Sequence, residues 1–486
     1  MSEVFIGIDL GSSGVKAVAM DDSALCVASQ TAPLTIHRGS GGTAEHRTDE
    51  WKSEAGACLR DLTRQLLESG HTPAGVACTG QMNGPVLLDS QFEPVAAVQM
   101  WCDARCADQC KEIEARIPAR QLLDATGHNA VTGYTAPKLM WLAEHEPDVL
   151  SRCAHLIFPK DYLVLLLTGR VGTDFSDASN SLLLDVRSGR WEKTISATLG
   201  LGAVPLPPLA HSTDVVGFIS REGAAWSGLP EGLPVAGGAG DSISAALGAG
   251  LRDTTALQIV VGSAGNVNCV LERPLVDAKG RVHTGFFVDR SHWICSGVLQ
   301  TAGASLQWWA DIVGMSVDAM VREVELPGPS GPFFAPYLAG ERTPHLDAGV
   351  RGGFVSLEGA TRRADMTRAV LEGVCYAFRD AREVFGAMEI HPSEVSVTGG
   401  AARNETFCRI LAGVLNTPLK RIDADVTARG AAILAACAAG LFSNWQQAIE
   451  AWPMAGEIIE PPESEGYEEA YRKYRKLYPR LAGWEE

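Results

Sequence analysis

Ile6-Gly7-Ile8-Asp9-Leu10-Gly11-Ser12-Ser13-Gly14-Val15-Lys16-Ala17-Val18 sets one apolar run against another across a glycine-bounded turn. The spacing predicts strand, tight turn, strand, with an aspartate at the end of the first strand. Glycine reaches the dihedrals of such a turn without a Cβ clash, so backbone N–H groups are left free to surround anionic oxygens. A carboxylate at that position can hold a hard divalent cation directly or through water, and Lys16 adds a nearby positive charge. The combination suits a nucleotide triphosphate with its metal, although an ordinary hairpin ending in Asp reads the same way. Two other nucleotide motifs are excluded. No Gly-Lys-Ser/Thr ending follows the turn, and the chain resumes as a strand rather than a helix.

Working outward, the segment Leu257-Gln258-Ile259-Val260-Val261-Gly262-Ser263-Ala264-Gly265-Asn266-Val267-Asn268-Cys269-Val270 repeats the plan. Gly11-Ser12-Ser13-Gly14 corresponds to Gly262-Ser263-Ala264-Gly265, and Val260 stands where the first copy has Asp9. Repetition of a whole supersecondary unit predicts two domains of related fold, the first turn handling metal and the second contributing amides. At 486 residues the chain is too long for one core. Pro205, Pro207, Pro208, Pro230 and Pro234, followed by Gly237, Gly238 and Gly240, place the division near 205–237, giving domains 1–236 and 237–486. Helical patterns are expected at 48–69, 365–388, 404–415 and 428–439, with strands at 75–79 and 86–89, as in layered α/β architecture. From Glu463 the acidic-aromatic ending reads as a surface helix.

Composition narrows the classes. Apolar residues at 46% and charged residues at 20% are those of a soluble globular protein. A net charge of −17 argues against nucleic acid or an anionic membrane as partner. No apolar run is long enough to cross a bilayer and no signal-peptide pattern opens the chain, so the expected location is cytoplasmic. The twelve cysteines form no C-x-x-C pair and read as free thiols; Cys102, Cys106 and Cys110 fall at four-residue steps and could share a helix face. A homodimer is among the assemblies open to such an enzyme.

Two further segments carry chemistry. In Gly237-Gly238-Ala239-Gly240-Asp241-Ser242-Ile243, a glycine-rich approach ends in an aspartate before a small-residue helix. Asp241 reads either as a general base taking a hydroxyl proton during phosphoryl transfer or as a helix N-cap. Val397-Thr398-Gly399-Gly400-Ala401-Ala402-Arg403-Asn404 runs a strand through paired glycines into a helix start, letting backbone approach a ring or a ribose.

Taken together the residues resemble the FGGY carbohydrate kinases, which share the actin-like, ribonuclease H-like ATPase fold. Gly133-Tyr134-Thr135-Ala136-Pro137-Lys138-Leu139-Met140-Trp141-Leu142-Ala143-Glu144-His145 is similar to the first family signature. Gly352-Gly353-Phe354-Val355-Ser356-Leu357 with Asp365-Met366-Thr367-Arg368-Ala369-Val370-Leu371-Glu372 is similar to the second, with Ser356 where glycine is usual. Because these elements occur in family order, the likeness covers nearly the whole chain. The loop Gln81-Met82-Asn83-Gly84 and the segment Trp101-Cys102-Asp103-Ala104-Arg105-Cys106 are most similar to members acting on xylulose, which usually carry Met-His-Gly.

The resemblance implies an ATP- and Mg²⁺-dependent sugar kinase of two actin-like domains facing a cleft. Asp241 would be the base on the sugar hydroxyl, and Asp9 would organise the metal and the transferring group. Gly11, Ser12, Ser13 and Lys16 would surround the γ-phosphate, with Gly262 and Ser263 on the other phosphates. Gly399, Gly400 and Asn404 would border adenosine, Gly303 beside them; Met82, Asn83, Trp101 and Asp103 would join Asp241 around the sugar. D-xylulose is the expected acceptor, with ribulose, sedoheptulose, glycerol or erythritol as alternatives because of Asn83. An actin- or Hsp70-like ATPase needing no sugar is the reading from another class.

Overall fold

The computed structural model describes residues 2–325, 328–329, 331–463 and 466–484. Two seven-stranded sheets organise the chain, and each is built around one of the repeated hairpins. In the first, Ser2–Leu10 runs antiparallel to Gly14–Asp21, which pairs with Cys26–Pro33, and parallel to His71–Gly80. In the second, Ala256–Val261 runs antiparallel to Gly265–Leu271, which pairs with Trp293–Leu299, and parallel to Glu394–Thr398. The strand order repeats, but the two turns differ by one residue. Leu10 faces Val15 across the first, whereas Val261 faces Gly265 across the second.

Nearly continuous apolar runs, buried on both faces, explain these strands. Val4, Ile6, Ile8 and Leu10 are fully buried against the helix Thr48–Glu68, which turns Trp51, Leu59, Leu62 and Leu66 inward. In the second half the long helix Arg363–Ala387 carries the buried face of Val370, Val374, Phe378 and Phe385.

The Pro-rich stretch is built into the first sheet. Val215–Phe218 pairs with Pro234–Ala236, which pairs with His71–Gly80, as does the bridge at Ala239–Gly240. Between Gly248 and Ala256 the chain then crosses to the second sheet. The halves are joined again by the helix Val426–Ala438, which comes late in sequence yet lies on the first sheet. Gly7 and Gly75 permit it: a Cβ at either would strike the carbonyls of Ala428 or Ala435. The helix Asp241–Gly248 crosses the same helix, with Gly248 and Gly430 at the contact.

The C-terminal segment differs from its expectation. From Tyr467 the helix Tyr467–Tyr474 buries Tyr467, Tyr471 and Tyr474 in the second core, and Tyr471 donates to Asp380 at 2.6 Å. The helical spacing of those tyrosines, not the acidic residues between them, was the informative signal. Ser464 and Glu465 of that segment lie outside the described residues. All twelve cysteines are free, and among the described residues no helix is long and apolar enough to cross a membrane.

Candidate active site

Asp9 closes the first strand in register with Lys16. The turn beyond it is held by Gly11 N–H on the Gly14 carbonyl at 2.9 Å, and a Cβ at Gly14 would sit 2.6 Å from the Ala32 carbonyl oxygen. One carboxylate oxygen of Asp9 is buried without a hydrogen-bond partner. Burial first, then the charges of Asp241 and Asp425, push this carboxyl up to about 8, against the pull of Lys16. Lys16 itself is ion-paired with Asp425, which also caps the helix Val426–Ala438. A buried carboxyl with an orphaned oxygen and two acidic neighbours fits a hard cation, whose charge would restore its ionised form. Among the described residues no group of three or more His, Cys, Asp or Glu makes an all-protein metal cage. Magnesium does not require one, since phosphate oxygens and waters commonly complete its shell.

Asp241 is the first residue of its helix, and Gly240 occupies the cap position. The helix-cap reading of Asp241 therefore reduces to one contact, Ser242 N–H on its Oδ1 at 2.6 Å. Burial pushes its carboxyl up to about 6, a value that leaves it ionised at neutral pH yet basic enough to take a proton.

A cavity of about 290 Å³ opens beside Asp241 and is lined from both halves of the chain. Met82, Asn83 and Trp101 line it as the sequence suggested, and His128, Tyr134, Asn180, Asn266, His283 and Arg342 complete much of its wall. Three atoms of that wall are buried polar groups without partners: Asn83 Oδ1, His128 Nε2 and His283 Nδ1. Buried polar atoms are ordinarily satisfied, so three orphans among the residues lining one cavity fit a site for a polar ligand. Burial holds His128 down to about 4 and His283 well below the usual imidazole range, so both rings are neutral hydrogen-bonding groups at pH 7. Trp101 also reaches the first turn, its indole N–H donating to Ser12 Oγ at 2.9 Å.

Asp103 is placed differently from its neighbours. It is fully buried, does not line the cavity, and accepts from the Ala44 N–H at 2.8 Å and from Arg105 at 2.7 Å. Its place is behind the wall, tying the Trp101 segment to Ala44. Asn83 has a left-handed backbone (φ +75°), a region Asn tolerates well, and its carbonyl accepts from Thr135 Oγ1 at 3.0 Å. Lys138 is fully buried and donates to the carbonyls of Thr132 and Gly133 at 2.7 Å each, and of Tyr134 at 3.2 Å. Gly133–His145 thus builds the corner that delivers Tyr134. His128, His283 and Arg342 carried no sequence signal of their own, because each comes from a loop or strand end that lies outside the motifs.

Of the remaining expected residues, Gly262, Ser263, Gly303, Gly400 and Asn404 line a second cavity of about 760 Å³, whereas Gly11, Ser12, Ser13 and Gly399 do not. Gly303 N–H donates to the Gly262 carbonyl at 2.8 Å, and a Cβ on Gly303 would lie 2.6 Å from that oxygen. Gly399 adopts φ +95° and passes the Val261 carbonyl, where a Cβ would lie 2.7 Å away. Its glycine is a requirement of backbone passage, with Gly400 exposed to the cavity. Asn404 Oδ1 is committed to capping the helix Glu405–Leu415 through Phe407 N–H at 3.0 Å.

Comparison with known proteins bears on the whole chain. The family model for the N-terminal domain of the FGGY family of carbohydrate kinases matches residues 4–248, and that for its C-terminal domain matches residues 257–439. The xylulose kinase of Lactococcus lactis is 34% identical over 97% of this chain and 96% of its own. That of Escherichia coli is 33% identical over 98% of each. Among solved structures, a xyloylose kinase from Brucella ovis superposes with a TM-score of 0.93 at 31% identity, covering 99% of both chains.

Proposed function

Since this chain belongs to the FGGY family of carbohydrate kinases, we propose that it transfers the γ-phosphoryl group of ATP to a hydroxyl of a ketopentose, D-xylulose before others. The xylulose kinases of Lactococcus lactis and Escherichia coli, similar over almost the full chain, support that acceptor. The observation that carries the reading is the cavity at Asp241, whose wall includes Asn83, His128 and His283, each with a buried polar atom that lacks a partner. A polyhydroxylated acceptor supplies both donors and acceptors for such groups.

In this reading the acceptor lies between Met82, Asn83 and Trp101 on one side and His283 on the other, its reacting hydroxyl toward Asp241. Asp241 takes the hydroxyl proton as the oxygen attacks the γ-phosphorus of ATP and ADP leaves in line. Gly11, Ser12 and Ser13 present backbone and hydroxyl donors to the γ-phosphoryl oxygens, while Gly262 and Ser263 attend the remaining phosphates. Gly303, Gly399, Gly400 and Asn404 border the nucleoside. Asp9 would hold Mg²⁺, which supplies charge neutralisation on the phosphates when bound. Lys16 adds positive charge beside the same turn and, through Asp425, fixes the helix from the other half against it. Because no covalent intermediate with the protein is needed, the acceleration comes from alignment and electrostatics. The chemistry belongs to the cytoplasm in this reading, where free thiols and ATP coexist.

Asn83 favours a second reading of the acceptor alone, since its amide is shorter than the histidine usual at that place in members acting on xylulose and never charged. Coupled ADP release with MgATP across D-xylulose, L-xylulose, D- and L-ribulose, sedoheptulose, glycerol and erythritol separates the two. Strong stimulation by D-xylulose supports the first reading, and stimulation by another compound alone moves specificity to Asn83. Equal ADP release with and without every acceptor would mean an ATPase of the actin or Hsp70 kind.

A further inference from the structure

Behind Asp241, away from the cavity, lies a buried charge cluster that the mechanism above does not use. Lys160, Asp161, Asp174 and Asp177 are all buried, three of them with essentially no solvent exposure. Lys160 Nζ lies 2.5 Å from Asp161 and 3.0 Å from Asp174. Both carboxyl oxygens of Asp177 lack hydrogen-bond partners, and burial raises its pKa well above the ordinary carboxylate range, against the pull of Lys160. Groups of this kind are costly to bury.

The cluster's outward contacts converge on one object, the four-residue approach to Asp241. Lys160 Nζ donates to the Gly237 carbonyl at 3.3 Å. Asp174 accepts from Ser212 Oγ at 2.8 Å and from Ser176 N–H at 2.9 Å. Ser212 in turn presents its carbonyl to Gly238 N–H at 3.0 Å, and Ser176 presents its hydroxyl to Gly240 N–H at 3.2 Å. On the other side, Thr79 Oγ1 donates to the Ala239 carbonyl at 2.7 Å. Gly238 (φ +74°) is pressed so closely onto the Cys78 carbonyl that no Cβ fits. Each residue from 237 to 240 is therefore pinned by a side chain or backbone group from a different element.

We propose that Lys160, Asp174 and Ser176 are positioning residues, whose hydrogen-bond network fixes the Gly237–Gly240 turn and thereby aims the Asp241 carboxylate at the acceptor hydroxyl. This rests on Asp241 being the base. The network does not touch the acceptor or the nucleotide cavity, so its loss acts on turnover and not on binding. Small displacements of a reacting group are expensive: about 1 Å can cost on the order of a hundredfold in rate.

The test compares Ser176→Ala, Lys160→Met and Asp241→Asn singly, and Ser176→Ala combined with Asp241→Asn. Steady-state kinetics are paired with Tm and MgATP binding. Ser176→Ala and Lys160→Met are expected to lower kcat by roughly 10- to 100-fold, with KM for MgATP unchanged. In the Asp241→Asn background, Ser176→Ala is expected to change the residual rate by less than about twofold, because residues acting as one unit are not additive. An equal loss in both backgrounds overturns the proposal, since the serine would then act by something other than Asp241. Unchanged kcat in a folded Ser176→Ala overturns it as well. Should Lys160→Met fail to fold, Ser176→Ala decides, because it leaves the charge cluster intact. Normal turnover in Asp241→Asn would instead remove the reading of the base on which the proposal stands.

Discussion

Asp241 joins a raised basicity, one short backbone contact and an opening into a polar cavity, and each property has a kinetic consequence. Its carboxyl must be ionised to accept a proton, so with a value of about 6 activity should fall as pH drops through that region. The pH profile of kcat/KM is expected to show this acidic limb, and a profile flat to pH 5 would dissociate Asp241 from proton transfer. Asp241→Asn should lower kcat by roughly 10²–10⁴-fold while MgATP binding by calorimetry survives. At Asn83, alanine removes an amide from a cavity wall that also holds two neutral imidazoles. Loss of one such hydrogen bond costs about 1 kcal/mol, so the acceptor KM should rise several-fold with little change in kcat; an unchanged KM would place Asn83 outside the acceptor site. At this scale the motifs placed Met82, Asn83, Trp101 and Asp241 together, and all four line one cavity. Asp103 was misplaced because neighbouring positions in a loop look alike on paper, whereas the fold turns Trp101 toward the cavity and Asp103 away from it.

The helix Asp241–Gly248 and the helix Val426–Ala438 illustrate how elements set that geometry. They cross with Gly430 against the Ser244 carbonyl and Gly248 against the Val426 carbonyl, closer than any side chain permits. Gly430→Ala must push the helices apart, at about 1–3 kcal/mol for an overpacked site. Because Asp241 begins the displaced helix, kcat should fall along with Tm; a lower Tm with unchanged kcat would mean that the helix start does not follow its packing. The C-terminal helix gives the converse case of a purely structural contact. Tyr471→Phe leaves the buried carboxyl of Asp380 without its 2.6 Å donor. The expected cost is about 1–3 kcal/mol, read as a lower midpoint in urea with KM and kcat unaffected. Helices such as Thr48–Glu68 and Arg363–Ala387 fell within two residues of their expected limits, because a 3.6-residue apolar period states which face is buried. The last helix was read as surface because its charged residues outnumber the tyrosines that anchor it.

Across the whole molecule, two halves with the same strand order meet at a shared apolar layer, into which Phe5 and Met20 of the first and Ile433 and Trp445 of the second are packed. The Lys16–Asp425 pair crosses the same junction. The cavity at Asp241 draws its wall from both halves, so ligands that fill it bind the native chain and not the unfolded one. At about a hundred times Kd, one such ligand should add about 2.7 kcal/mol to stability. D-xylulose and MgATP are each expected to raise Tm, and Asp241→Asn should retain the MgATP shift. Absence of a shift with MgATP would contradict the assignment of the larger cavity to the nucleotide.

By itself the sequence determined the two repeated hairpins, their order, the aspartates on either side of glycine-rich stretches (Asp9 before one, Asp241 after another) and the family to which these belong. Those features are local: hydrophobic period, turn chemistry and short motifs are written in consecutive residues. Only the tertiary structure decided that His128 and His283 face one cavity from opposite halves, and that a helix near residue 430 lies on the opening sheet. It alone brought Lys160, Asp174 and Ser176 behind the turn that carries Asp241. The physical reason is that such contacts join residues many tens to hundreds of positions apart. Their partners are chosen by packing and by the need to satisfy buried polar groups, and neither constraint leaves a periodic mark on the chain.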